Sequence, residues 1–390
     1  MKLPGPGDIH VLFDDARPNG AAPARLYRDP VRVIAAWRQE EVQPALDRIA
    51  DARDAGLHAA GYIAYEAGFA FEDRLRPLAA ACEEQAMPLL WFGLFEGCRL
   101  IAPDAVPGLF PGDAGLSFDA PRPLIGEEDY RAAFARVQDL IRAGDVYQVN
   151  LTFPCAVRFD GDPLALYAVA RARARAGYGG IIRTGQHAIL SFSPELFFTL
   201  MSGQLTARPM KGTAPRDEDP VRDAALAGAL TRDVKQRAEN LMIVDLLRND
   251  LSRVACAGTV RVPDLFTVET YPTVHQMVST VRARILPGLS PVDVVRTLFP
   301  CGSVTGAPKL RAMEIIGQVE SSPRGVYTGS MGWIDPQGNA AFNVAIRTLC
   351  VEEGSDIGRI GLGSGIVADS DVASEWAECL AKGRFLAPMG

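Results

Sequence analysis

A chain of 390 residues with 48% hydrophobic and 22% charged residues holds enough apolar material for a large core, so it reads as globular rather than disordered. Its net charge of −7 leaves no basic surplus to neutralise phosphates, and this argues against a nucleic-acid partner. The longest apolar run, 89–95, is far too short for a membrane span, and no signal-peptide-like run follows Met1. The seven cysteines are scattered without a C-x-x-C pair, so reduced thiols in a cytoplasmic protein are the expectation.

In chain order, residues 41–55 carry Val42, Leu46 and Ile49 at helical spacing, while 58–65 and 89–95 read as strands. Residues 102–123 are rich in Pro, Gly and Asp and read as a connector, dividing a region 1–123 from a region 124–390. Tyr130, Phe134, Val137 and Ile141 share one face of a predicted helix over 127–143, which Gly144 ends before a strand at 147–153. Short strands are expected at 188–192, 195–200 and 204–207, followed by a long, mostly helical stretch over 217–249. Strands at 259–262, 274–285, 325–335, 340–352 and 360–365 precede a closing helix at 371–385. Strands in adjacent runs, rather than strict alternation with helices, predict an α+β fold built on antiparallel sheets.

Some motifs are decoys. Gly361-Leu-Gly363-Ser-Gly365 has half of a dinucleotide fingerprint, but no helix opens at the third glycine. Gly302 to Lys309 has a phosphate loop's composition with the wrong spacing, and Pro308 lacks a needed N–H. The four histidines, 10, 58, 187 and 275, are dispersed without zinc-ligand spacing.

Other groups suit catalysis. Glu375 and Glu378 are three apart on one helix face, with Lys382 four further on. Alone this is a solvated charge cluster; two adjacent acids also suit Mg²⁺, which takes oxygen ligands. Glu239, off the apolar stripe of its helix, could meet that pair across a cleft. Glu195 follows Ser193-Pro194, and Lys211 precedes a Gly212-Thr213 turn. A lysine in such a turn is ordinarily exposed and inert, and becomes a nucleophile when desolvated or set beside another cation.

Taken together and in order, these segments resemble the chorismate-utilising enzymes, most strongly over 125–386. The matching stretches include Gly144-Asp-Val-Tyr-Gln-Val-Asn-Leu151, Ser193-Pro-Glu-Leu196, Lys211-Gly-Thr213 and the segment from Glu239 to Asp250. They continue with His275 to Ser279, Phe299 to Lys309, Arg311 to Ile316, Tyr327-Thr-Gly329, Ala345-Ile-Arg-Thr348, Gly363 to Ser370 and Glu375 to Lys382. The region 1–123 resembles the N-terminal part of anthranilate synthase component I less diagnostically, and the Leu-Leu-Glu-Ser tryptophan-binding signature is absent.

The resemblance implies a fold of antiparallel sheets flanked by helices, with the active site in a cleft between them. It implies Mg²⁺ held by Glu239 and Glu378, with Glu375 reaching it through water. Arg347 and Tyr327 would grip the enolpyruvyl carboxylate; Lys382 and the backbone at Gly363 and Gly365 would hold the ring carboxylate, and Thr213 would also contact substrate. Water-using members carry a lysine where this chain has Gln148, and an amide cannot serve as a base. Anthranilate-forming members have Ala at the position of Lys211. Together these imply amination at C4 to 4-amino-4-deoxychorismate, on the route to p-aminobenzoate and folate. Lys211 would form a covalent intermediate, Glu195 would be the general acid, and His275 would lie near the leaving oxygen. Ammonia would come from a glutamine amidotransferase subunit. The alternatives are C2 amination with pyruvate loss, as in anthranilate synthase component I, and a non-catalytic chorismate-binding homologue.

Overall fold

The computed structural model describes residues 2–5, 7–79, 86–271 and 274–388. Two antiparallel sheets dominate. The first runs Gly306–Ala307, Gln148–Asp160, Ile357–Ile366, Thr348–Glu352, His187–Ser191, Gly179–Arg183, His10–Asp14, Ala24–Arg28, Arg99–Ile101. The second runs Met210–Pro215, Val274–Arg284, Gln204–Arg208, Leu196–Met201, Ala340–Asn343, Ser330–Ile334, His58–Ile63, Leu90–Phe95, Arg32–Ala36, with Arg261–Thr270 also on Val274–Arg284. The predicted α+β architecture with antiparallel sheets is the one observed.

Period-two burial explains the layering. Val11, Tyr27, Ile182 and Ile189 of the first sheet pack with Tyr62, Trp91, Met331 and Trp333 of the second, so the sheets meet face to face there. The opposite face of the first sheet, with Leu12, Leu26 and Leu190, lies under helices Glu127–Arg142, Pro163–Ala174, Lys309–Val319 and Val372–Lys382. The outer face of the second, with Ile34, Leu90 and Phe198, lies under Gln39–Asp54, Val234–Ser252 and Pro291–Leu298. Strands from both sides of residue 123 pair in both sheets: His10–Asp14 with Gly179–Arg183, and His58–Ile63 with Ser330–Ile334.

Some boundaries differ from the expectations. The strand expected at 340–352 is two strands, Ala340–Asn343 in the second sheet and Thr348–Glu352 in the first. The chain crosses between sheets at 344–347, where Arg347 has a φ of 50°. The helical stretch 217–249 is two helices, Pro220–Leu230 and Val234–Ser252, the second capped by the Asp233 side chain. Within 325–335 only Ser330–Ile334 is strand, and after Ile63 the chain turns into a 3₁₀ helix, Tyr65–Phe71. The helix Pro163–Ala174 was not expected from apolar spacing, although Asp162 caps it and Pro163 opens it.

Candidate active site

Strands Gln148–Asp160 and Ile357–Ile366 pair with Gly365 opposite Asn150 and Gly363 opposite Thr152. Their glycines leave room that other side chains fill. A Cβ on Gly361 would run into the Tyr327 ring. A Cβ on Gly365 would lie 3.0 Å from both Lys211 Nζ and Gln148 Nε2. Lys211, from the second sheet, therefore reaches the floor of the first. Gln148 is 1% exposed, and among the described residues its Oε1 has no hydrogen-bond partner.

The Lys211 backbone is held from behind. Its strand is irregular in register between Met210 and Thr213, and Gly212 has a φ of 102° that a side-chain-bearing residue adopts with strain. Asn240, fully buried on helix Val234–Ser252, donates from Nδ2 to the Lys211 carbonyl at 3.0 Å. Ser279 Oγ donates to Asn240 Oδ1 at 2.6 Å. One residue earlier on the same helix, Glu239 Oε2 lies 3.3 Å from Lys211 Nζ.

On the opposite rim, helix Val372–Lys382 brings Lys382 Nζ to the Gly363 carbonyl at 2.8 Å and to Glu378 at 2.8 Å. Glu375 accepts from Ser370 Oγ at 2.6 Å. Burial opposes ionisation of Glu378, but Lys382, Lys211 and Lys235 outweigh it and hold its pKa below the ordinary value. Lys235 bridges the rims through Asp369 at 2.8 Å and lies in the field of Glu239 and Glu375. The three acids thus share one field of lysines. They are hard oxygen donors, the kind Mg²⁺ takes, yet among the described residues no three acidic, His or Cys side chains gather into a ready cage. Mg²⁺ bound through one or two carboxylates, waters and a substrate oxygen needs no such cage, so the donor set fits that mode.

Glu195 is 5% exposed, and among the described residues its Oε1 has no hydrogen-bond partner. Burial pushes its pKa up to about 7, against the opposing pull of Ser303, Lys211 and Lys382. A carboxyl in that range can hold a proton at neutral pH and release it. Arg347 has no acidic partner among the described residues, and burial lowers its pKa. A guanidinium so placed gains by binding a carboxylate, which it can grip with two parallel hydrogen bonds. Its left-handed backbone is of the costly kind that clusters at ligand sites.

Two expected residues have their side-chain groups engaged by other partners. His275 is 2% exposed, and both its ring nitrogens are engaged, Nε2 with Asp223 at 2.9 Å and Nδ1 with Thr270 at 3.0 Å. Thr213 is exposed, its hydroxyl on Gln276 at 3.1 Å. Spacing in the sequence singles out neither Asn240 nor Ser303, nor Glu320 and Arg324: Glu320 caps the end of its helix, so its four-residue interval to Arg324 carries no helical signal. Two cavities, of about 210 and 330 Å³, are lined by neither Lys211 nor Glu195; Tyr327 and Gly361 form one wall of the smaller.

The family profile described as chorismate binding enzyme matches residues 113–388. Aminodeoxychorismate synthase component 1 of Klebsiella aerogenes is 44% identical over 261 residues, 67% of this chain and 57% of that protein. The Escherichia coli K12 protein of the same name is 44% identical over 255 residues, 65% of this chain and 56% of its own length. Anthranilate synthase component 1 of Pseudomonas aeruginosa is 39% identical over 259 residues, 66% of this chain and 52% of that protein. Among solved structures, anthranilate synthase component I from Streptococcus pneumoniae TIGR4 superposes with a TM-score of 0.79 at 25% identity, covering 94% of this chain and 92% of that one. The menaquinone-specific isochorismate synthase of Escherichia coli shares the fold, with a TM-score of 0.73 at 18% identity over 97% of this chain and 89% of that one. The chain spans a little over half the length of the curated relatives it matches, 57% and 56% of the first and second named here.

Proposed function

Because the chain belongs to the family of chorismate binding enzymes, we propose that it aminates chorismate at C4, giving 4-amino-4-deoxychorismate through a covalent bond to Lys211. The observation that carries this reading is the meeting of Lys211 Nζ and Gln148 Nε2 over Gly365, with no second lysine at position 148. This sets an amine over the strand floor as the nucleophile, and the neighbouring amide is unable to activate water.

Arg347 binds the enolpyruvyl carboxylate, and Tyr327 borders it. Lys382 and the backbone at Gly363 and Gly365 receive the ring carboxylate. Mg²⁺, held by Glu239 and Glu378 with Glu375 behind, would neutralise charge on that carboxylate. Lys211 Nζ attacks C2, the ring double bond shifts, and the C4–O bond breaks. Glu195 gives its proton to the departing hydroxyl, which leaves as water. Ammonia then attacks C4, the double bond returns, and the C2–N bond to Lys211 breaks. The enolpyruvyl group is retained. Ammonia is mostly ammonium at neutral pH, so a glutamine amidotransferase partner would supply it.

Intact-protein mass after acid quench tests the covalent step. The wild-type chain with chorismate and Mg²⁺, without ammonia, should gain a chorismate-derived adduct that Lys211→Ala lacks. An adduct that persists in Lys211→Ala removes the covalent role.

A further inference from the structure

The edge of strand Gln148–Asp160 is covered in pieces. Gly306 and Ala307 pair with Val149 and Gln148, and Thr305 O accepts from Asn150 N at 2.8 Å. Further along, Arg122 and Pro123 pair with Ala156 and Cys155, and Leu124 N donates to Pro154 O at 2.9 Å. Between these stretches two side chains do the work of a strand. Arg324 Nη2 donates to Asn150 O at 2.7 Å, and Glu320 Oε1 accepts from Thr152 N at 2.8 Å. The two side chains, 2% and 7% exposed, are paired at 2.6 Å.

Arg324 also reaches the other wall of the site. Its Nη1 donates to Val304 O at 2.8 Å, next to Ser303, whose hydroxyl lies against Cys301 Sγ at 3.2 Å. Its own backbone is fixed from the N-terminal region. The Glu66 carboxylate, 2% exposed, accepts from Arg324 N at 2.6 Å and Gly325 N at 3.0 Å. The Tyr65 ring lies 4.5 Å from the guanidinium. Tyr327 follows three residues later.

We propose that Arg324, clamped by Glu320 and Glu66, is a positioning residue that sets the distance between the strand bearing Gln148 and the segment bearing Ser303 and Val304. A buried guanidinium with a fixed fork suits this role, because one planar group ties two carbonyls from different segments to one carboxylate. The inference rests on the proposed site but not on its product, since any chorismate turnover supplies the baseline.

The test uses the full chain with Glu66→Gln and Arg324→Lys. An amide at 66 leaves one of the two backbone donors facing an NH₂ group, and an ammonium at 324 keeps the charge but loses the fork. With chorismate, Mg²⁺ and ammonium, each variant should keep KM for chorismate within about twofold and lose about tenfold or more in kcat, at an unchanged folded fraction by circular dichroism. Amide hydrogen exchange over 148–153 and 301–306 should quicken in both variants, a readout that needs no turnover. The proposal is overturned by unchanged kcat and exchange, by a loss that merely follows the unfolded fraction, or by a change in KM alone.

Discussion

Two carboxyls separated by their surroundings define the chemistry at the residue scale. Burial holds Glu195 near 7, whereas lysines hold Glu378 below its ordinary value, so one can carry a proton while the other stays ionised. If Glu195 is the proton donor, its protonated fraction falls as pH rises through about 7, so the ratio of the wild-type adduct-forming rate to that of Glu195→Gln, in which any contribution of the attacking amine cancels, drops about tenfold per pH unit above it. Single-turnover mass measurements without ammonia read this step free of ammonia's own titration. Glu195→Gln should be slower throughout; a ratio that stays level across that range contradicts the role. Residue type and order marked Lys211, Glu195 and Glu239, and the resemblance added Arg347; the fold brings Lys211 beside Glu239 and into the field of Glu195. Arg324 was not legible. Nothing in its neighbours announces that its guanidinium would replace a strand edge, since that depends on where Asn150 and Val304 come to rest.

At the scale of elements, the site is a floor of glycines on one sheet approached by a lysine from the other. Gly365→Ala and Gly361→Ala separate the two functions of that floor. At 365 the added methyl meets only the far ends of Lys211 and Gln148, so stability should change by less than about 1 kcal/mol while turnover falls about 100-fold. At 361 it meets the Tyr327 ring, which must move, and thermal unfolding should show a loss of about 1–3 kcal/mol with weaker chorismate binding. Equal effects at both positions would argue against a reacting group over Gly365. Helices Gln39–Asp54 and Glu127–Arg142 were readable because each shows its apolar stripe to one layer. The crossing at 344–347 was not: Ala340–Asn343 and Thr348–Glu352 are both apolar enough for strand, and periodicity cannot say that they belong to different sheets. That unseen crossing is what places Arg347 between the sheets.

Across the whole molecule, the region before residue 123 is woven into both sheets and, through Glu66, reaches the site. Two buried carboxyls therefore couple the fold to pH. Burial pushes Glu66 and Glu195 up to about 7 from 4.5, so both bind protons more tightly folded than unfolded. Their contribution is fully present below about 4.5 and is lost as pH rises through about 7, up to about 3 kcal/mol each. The urea midpoint should fall between about pH 5 and pH 8, and Glu66→Gln and Glu195→Gln should each flatten that fall. A midpoint that rises with pH over this range would contradict the burial argument. The central claim, that this lysine-bearing cleft places nitrogen at C4, is tested most directly by the product. The purified chain is incubated with chorismate, Mg²⁺ and ammonium at alkaline pH, and the products are identified by mass and fluorescence. The account predicts 4-amino-4-deoxychorismate with its enolpyruvyl group intact; anthranilate with released pyruvate as the main product would contradict it.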